Sequence, residues 1–447
     1  MVSWKDIIGN KWVRLGFWSV LYIGWVIWLG NFWWLLGLGI VFDLIVTKKV
    51  KWLFWKKEYA PGEKHNVWLD WLDAIIFAVV VVTFINIFFF QAFKIPSSSM
   101  ESSLYTGDHL FVSKLTYGPR LPETPLTIPF THNRAFGHES YSEAVKRPYR
   151  RLKGFRSVER GDVVVFGFPN GDTVLARRPA DDYYAWVRNY GRELTVNQFG
   201  PVIVRPMDKK DHYVKRCVAV AGDTLQVRDG LVWVNGIQEP DYPGRQLTYK
   251  VVTSGTKINT LKLQELGINL SELWYDSRLP GYPAMPLTAA MLEKVQALRS
   301  VVSVEPNIET FPATGQDATI FPFTGKTRWT ADNFGPLWIP EKGVTVPLNA
   351  ETLPFYERII RDYEHNTLEL KADEIFVNGE PAHEYTFKQD YYFMMGDNRH
   401  NSLDSRYWGF VPEDHIVGTP SIIWLSTDAS RRFPSNIRWK RFLRTKF

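Results

Sequence analysis

Two uncharged stretches near the N terminus constrain this 447-residue chain more than anything else in it. Residues 15–42 hold no charged side chain, and residues 74–93, AIIFAVVVVTFINIFFFQAF, add 20 more. At about 1.5 Å of rise per residue, each can cross the ~30 Å hydrocarbon core as a helix. The first run, taken to residue 46, fits one long tilted span or two short ones, because Gly30-Asn31 near its middle suits a turn. It is too long for a cleavable leader, and no small-residue cleavage site precedes a soluble domain. Between the runs lies TKKVKWLFWKKEYAPGEKHN, with six lysines against two glutamates. The positive-inside rule assigns this loop to the cytoplasm, so the second span carries everything after Phe93 outward. Lys5, Lys11 and Arg14 favour an inward N terminus, and hence a short helical hairpin before the last span.

Composition agrees with a protein working at a bilayer surface. The chain carries 19 Trp, 29 Phe and 20 Tyr, residues that settle at membrane interfaces. Its net charge of +6 is mild for this length and accompanies no nucleic-acid motif, so an anionic lipid surface is the expected partner and nucleic acid is not. The lone Cys217 excludes an intrachain disulfide. The nine histidines show no metal-ligand spacing, so neither metal nor cofactor is expected. FTGKT (323–327) is not a phosphate loop, since the first glycine of that motif would fall on Ile320.

Beyond residue 94 the pattern turns strand-like. RGDVVVFGFP (160–169), YVKRCVAVAGDTLQVRDGLVWVNG (213–236), DEIFVNGEP (373–381) and IVGTPSIIWLS (416–426) are β-branched runs punctuated by Gly, Asp and Pro. LVWVNGIQEP and EIFVNGEP echo each other, and each predicts a strand entering an Asn-Gly hairpin turn. Residues 119–158 read as loop and suit the membrane face. The expected fold is N-terminal transmembrane α-helices followed by a mainly-β (α+β) extracytoplasmic catalytic domain with a large insertion. The expected divisions are an anchor over 1–93, a β core over 94–240 and 372–447, and an insertion or cap over 241–371, Pro-rich with one helical patch at 287–300.

Four segments stand in order along the chain: KIPSSSM (94–100), RGDVVVF (160–166), YVKRCVAVAGD (213–223) and MMGDNRHNSLDSRYWGFVP (394–412). This set resembles the type I signal peptidases, membrane-bound Ser-Lys serine proteases that remove signal peptides from exported proteins. The resemblance implies a multi-pass protein of the cell (inner) membrane with its catalytic domain on the periplasmic side. Its partners would be preproteins delivered by the export machinery, cut after an Ala-x-Ala pattern, and the lipid bilayer. It implies that Ser99 is the nucleophile and Lys215 the general base. Ser97 would complete the oxyanion hole, Ser402 would orient the lysine, and Asp404 and Arg406 would form a supporting ion pair. Phe93, Ile95, Leu104, Tyr213 and Val214 would wall shallow substrate pockets. Two positions depart from the family pattern. Ser102-Ser103 replaces a usual Pro-Thr, which is expected to loosen the turn after the nucleophile. Ser98 stands where glycine is frequent, which requires a negative φ there.

The residues carry a physical reading of their own. A serine hydroxyl needs an adjacent base, and a lysine at its ordinary pKa of ~10.4 cannot accept a proton at neutral pH. If 213–219 is a strand, Lys215 shares a face with Tyr213, Cys217 and Ala219, uncharged neighbours that favour the neutral amine, while Arg216 points away. His212 is expected at the surface, and Asp397 is expected to form a turn. Two other classes fit parts of the pattern: soluble self-cleaving Ser-Lys repressors, against which the apolar segments argue, and a non-catalytic envelope scaffold, which would not need Ser99, Lys215 and Ser402 together.

Overall fold

The structure is a computed structural model describing residues 9–52, 66–169, 173–175, 183–310, 319–324, 326–371 and 374–447. Helix α1 (Lys11–Leu29) starts where the Asn10 side chain accepts a hydrogen bond from the Trp12 N–H. It ends at Gly30, whose φ of 62° only glycine adopts without strain. Asn31 then caps a second apolar helical stretch, Phe32–Thr47, so the first run is two segments broken at Gly30-Asn31. Helix α2 spans Val67–Phe88. By length and composition α1 and α2 are both able to cross a membrane. The expected last span, 74–93, is corrected at both ends. Asp70 and Asp73 lie inside the helix, and Phe90–Lys94 leave it to form strand β1. That aromatic run has a better use in the sheet, where it pairs with Asp108–Ser113.

The main sheet is antiparallel and has seven strands: β1 (Phe90–Lys94), β2 (Asp108–Ser113), β3 (Val163–Gly167), β4 (His212–Ala219), β5 (Tyr391–Met395), β6 (Val411–Pro412) and β7 (Ile416–Ser426). Their spatial order is β1-β2-β7-β3-β4-β5-β6. Alternation along β3 explains its unbroken apolar run. Val163 and Val165 pack on one face with Leu110, Val112 and Ile423, while Val164 and Phe166 pack on the other with Cys217, Met394 and Trp408. A central strand buried on both faces has no polar side to show.

Beside this sheet, Thr224–Arg228, Leu231–Val234 and Ile237–Gln238 form a second sheet, with Phe334–Trp338 on its edge. The Asn-Gly echo proves to be longer than its turn. TLQVRDGLVWVNG (224–236) and TLELKADEIFVNG (367–379) share a pattern, and their described strands pair alike, Thr224–Arg228 with Leu231–Val234 and Leu368–Lys371 with Glu374–Val377, with Asn235 and Asn378 at φ 54° followed by glycines at φ 80° and 83°. In each copy the asparagine Oδ1 accepts the N–H of the leading threonine, at 2.8 and 3.0 Å. Both copies pack into one large apolar core with Phe387, Tyr391 and Phe393.

The stretch 241–371 is not one separate body. Leu247–Thr253, Gly281–Leu287 and Val301–Pro306 form a three-stranded sheet with its own core, covered by the helix Ala289–Gln296. Phe334–Trp338 of the same stretch is instead paired into the hairpin sheet. Residues 119–158 are almost free of regular structure, as expected, and carry the exposed Phe130, Phe136 and Phe155. The helical hairpin is fastened to them: Arg150 donates to the Leu29 carbonyl at 2.6 Å and the Trp28 indole to the Lys153 carbonyl at 2.9 Å.

Phe393 joins β5 to both hairpins and is fully buried. Phe393→Ala is expected to cost about 3–5 kcal/mol, read as a lower unfolding midpoint in denaturant by tryptophan fluorescence.

Candidate active site

The serine-rich stretch closes the turn between β1 and β2. Ile95 and Asp108 continue the ladder, and the Glu101 N–H donates to the Ser98 carbonyl and the Leu104 N–H to the Met100 carbonyl. Ser98 has negative φ, as its side chain requires, but Ser102 has a φ of 71°. The expected loosening at Ser102-Ser103 is corrected. The buried Ser103 hydroxyl donates to Asp397, and Gln246 donates to the Ser102 hydroxyl at 2.9 Å. The turn is tied down by side chains where a proline would have stiffened it.

Lys215 lies on β4 opposite Val164 of β3, and its Nζ donates to Ser99 Oγ at 2.6 Å. The lysine is 3% exposed. Burial lowers its pKa to about 8, against the pull of Asp404 and Asp397 and with a smaller push from Arg406. Those carboxylates do not pair with it. Asp404 accepts Arg406 Nε and Nη2 at 2.8 and 2.7 Å and the Gly396 N–H at 3.0 Å. Asp397 accepts Arg216 Nε and Nη2 at 2.7 and 2.6 Å. Burial works against the charge of Asp404, but the Arg406 charge and hydrogen bonds outweigh it and hold the carboxyl below its ordinary range. Both pairs are buried, and neither is a surface bridge. Asp397, expected in a turn, is thus also the counter-ion of Arg216.

A third buried pair holds the turn from the C-terminal side. Arg441 donates to Asp108 and, at 2.9 Å, to the Ser103 carbonyl. Gly396 lies so close that an added Cβ would stand 2.2 Å from Ser402 Oγ and 2.6 Å from the Ser99 carbonyl oxygen. Only glycine fits between them. Ser402 Oγ is buried with no hydrogen-bond partner among the described residues. Ser97 is exposed, beside the half-buried Ser99.

Four of the five expected pocket residues gather in one apolar cluster: Phe93, Ile95, Leu104 and Val214. Tyr213 points to the other face of β4, stacked on Phe168 at 4.5 Å and edge-on to the buried Trp408 at 5.7 Å. The alternation of the strand separates it from Val214, and its ring lies 5.8 Å from Lys215 Nζ. His212 is not a surface residue but stands half-buried against Phe93 and His132. Among the described residues no group of His, Cys, Asp or Glu is arranged to hold a metal ion.

The family model for signal peptidase, peptidase S26, matches residues 68–265 and 341–425, more than half of the chain. The chain belongs to this family. Signal peptidase I of Haemophilus influenzae is 25% identical over 388 residues, covering 87% of this chain and 78% of that protein. Signal peptidase I of Helicobacter pylori strain J99 is 23% identical over 394 residues, covering 84% and 91%. A short segment is 52% identical to signal peptidase I of Aquifex aeolicus over 42 residues, 9% of this chain and 16% of that one. The protein is a type I signal peptidase, a serine endopeptidase that removes signal peptides.

The family match omits residues 266–340, yet this signal peptidase brings one of them to the site. Glu272 accepts Asn398 Nδ2 at 3.1 Å and Asn401 Nδ2 at 2.9 Å. Those amides also donate to the Ser98 carbonyl, at 3.2 Å, and to the Ser98 hydroxyl, at 3.0 Å. The sequence offered no signal for this contact, since a glutamate in a Leu-Ser-Glu turn looks like any solvated acid.

Arg216→Met would strand the Asp397 carboxylate in the interior. A loss of about 3–5 kcal/mol in unfolding free energy is expected, with an isolated surface change such as Lys342→Met as the near-neutral comparison.

Proposed function

We propose that Ser99 and Lys215 form the catalytic dyad of this signal peptidase, and that it cuts preproteins after small residues in an Ala-x-Ala pattern. The observation that carries this reading is the 2.6 Å contact between Lys215 Nζ and Ser99 Oγ at a buried, unpaired lysine. The neutral amine takes the Ser99 hydroxyl proton while Oγ attacks the scissile carbonyl. The oxyanion is held by the Ser99 N–H and the Ser97 hydroxyl. Lys215 then passes its proton to the leaving amine, and the acyl-enzyme carries the signal peptide. The same amine activates the water that releases it. Ser402, expected to orient the lysine, stands against Gly396 with its hydroxyl unbonded among the described residues, so in this reading its contact to Lys215 forms only with substrate in place, and the Asp404–Arg406 pair fixes the loop that carries it. Phe93, Ile95, Leu104 and Val214 offer shallow apolar pockets suited to alanine-sized side chains. Tyr213 acts from behind, as a wall of the lysine's apolar surroundings.

In this reading the helices anchor the enzyme as a multi-pass protein of the inner membrane. The lysine-rich loop before α2 stays in the cytoplasm, and the β domain faces the periplasm. Its partners are preproteins arriving from the export machinery and the bilayer itself. Residues 94–240 and 372–447 make up the catalytic core in this scheme, and 241–371 is an insertion interleaved with it.

Lys215→Met and Ser99→Ala are each expected to lower kcat for a preprotein with an Ala-x-Ala site by about 10⁴-fold or more, with circular dichroism unchanged. Retained cleavage in either variant would remove the dyad. The pH profile gives a second check. A base whose pKa is lowered to about 8 is protonated and inactive below that pH and neutral above it. The rate is therefore expected to rise about tenfold per unit on the acid side and level off in the alkaline range. A profile flat from weakly acidic to alkaline pH would exclude a lysine base.

A further inference from the structure

A cavity of about 630 Å³ opens where α2 meets the β domain; it shares Phe93 with the proposed substrate pockets, and neither Ser99 nor Lys215 lines it. Its ionisable lining is lopsided: Lys94, Lys114, Arg120 and Lys209 face a single carboxylate, Asp208. The Lys114 ammonium has no hydrogen bond or ion pair among the described residues. Lys209 is 6% exposed and rests its ammonium 5.6 Å over the Tyr141 ring. Asp208 is the one carboxylate they share: one of its oxygens accepts from Thr124 and the other is buried without a hydrogen bond among the described residues. Arg120 is spent on the Asp414 carbonyl, at 2.8 Å. Several cations sharing one carboxylate in a largely dry site are costly. Burial first, then the Arg120 charge, lowers the Lys114 pKa to about 7 against the pull of Asp208. Burial likewise pulls down Lys209, His132 and His212, which share the wall.

The position of the cavity says which anion belongs there. One wall is the last turns of α2, where Thr83 and Asn86 are polar interruptions in the apolar run that follows Asp73. Polar side chains in such a segment mark function more often than packing. The opposite wall is the 120–132 loop, whose lining Ile128 and Phe130 are exposed. Apolar side chains at the rim and cations within match a molecule with acyl chains outside and a phosphate inside. A signal peptide does not match, since its leading segment is cationic and its core apolar. We propose that this cavity binds the phosphate of an anionic bilayer lipid, held by Lys114 and Lys209, and so seats the catalytic domain on the membrane. The proposal rests on the membrane reading above, and its volume suits a phosphoglycerol headgroup.

The test uses the full chain in a neutral detergent, with dioctanoyl-phosphatidylglycerol, dioctanoyl-phosphatidylcholine and inorganic phosphate as probes, and native mass spectrometry as the readout. One phosphatidylglycerol is expected to bind saturably, about tenfold or more tighter than phosphatidylcholine. Lys114→Gln and Lys209→Gln should each weaken it by about tenfold, and Lys114→Arg should retain it. Unfolding temperatures identify a variant that fails to fold, and the other then carries the test. Equal binding of the two lipids, or folded glutamine variants that bind like the parent, would overturn the proposal. Inorganic phosphate displacing the lipid at equal concentration would make this a free-anion site and overturn the lipid assignment. Displacement by a peptide with glutamates before its cleavage site would assign the cavity to substrate and overturn it as well. Ser99→Ala should bind lipid unchanged while losing preprotein cleavage, which separates failure here from failure of the dyad.

Discussion

A lysine kept out of water and denied a carboxylate of its own is the constraint around which this enzyme is built. Lys215 is buried close to two aspartates, either of which could claim its charge and lock it in the protonated form. Each aspartate is instead engaged by two nitrogens of an arginine: Asp404 by Arg406 and Asp397 by Arg216. The arginines, with their planar forks and high pKa, neutralise the carboxylates more completely than an ammonium could. What remains for Lys215 is an apolar wall and the Ser99 hydroxyl. Ion pairs of this kind are weak contributors to stability. Their value here is electrostatic bookkeeping around one nitrogen.

The same pairs also hold geometry. Arg216–Asp397 binds the Ser103 hydroxyl, and Arg441–Asp108 binds the Ser103 carbonyl, so the turn that carries Ser99 is gripped from β4 and from the C-terminal segment at once. Asn398 and Asn401 close it from the third side and bring Glu272 with them. Residues distant in sequence thus converge on a turn that local propensity alone would leave mobile.

Much of this was legible in the sequence, and the reasons for the rest are physical. The strand runs at 163–167, 212–219 and 416–426 and the two Asn-Gly turns were readable because β-branched density and positive-φ residues are local signals. The end of α2 was not, because Phe88–Phe90 is as apolar in a strand as in a helix, and only pairing with β2 decides it. Ser99 and Lys215 were singled out through the family resemblance, and the structure brings the two side chains to 2.6 Å. The counter-ion roles of Asp397 and Arg441 and the reach of Glu272 depend on tertiary contacts that leave no local pattern. Tyr213 and Val214 were grouped through the family resemblance, and the pleated strand sends these neighbours to opposite faces.

Two residues beyond the lysine sits Cys217, the chain's single cysteine, fully buried in the same strand. Burial raises its thiol pKa well above the ordinary value, so it holds almost no thiolate, the form that reacts. The strand that carries Lys215 is therefore insulated from thiol–disulfide exchange with its surroundings. A cysteine engineered anywhere on the surface would be the one reactive thiol of the folded protein. Spectroscopic probes could then be attached one position at a time, with the native residue silent.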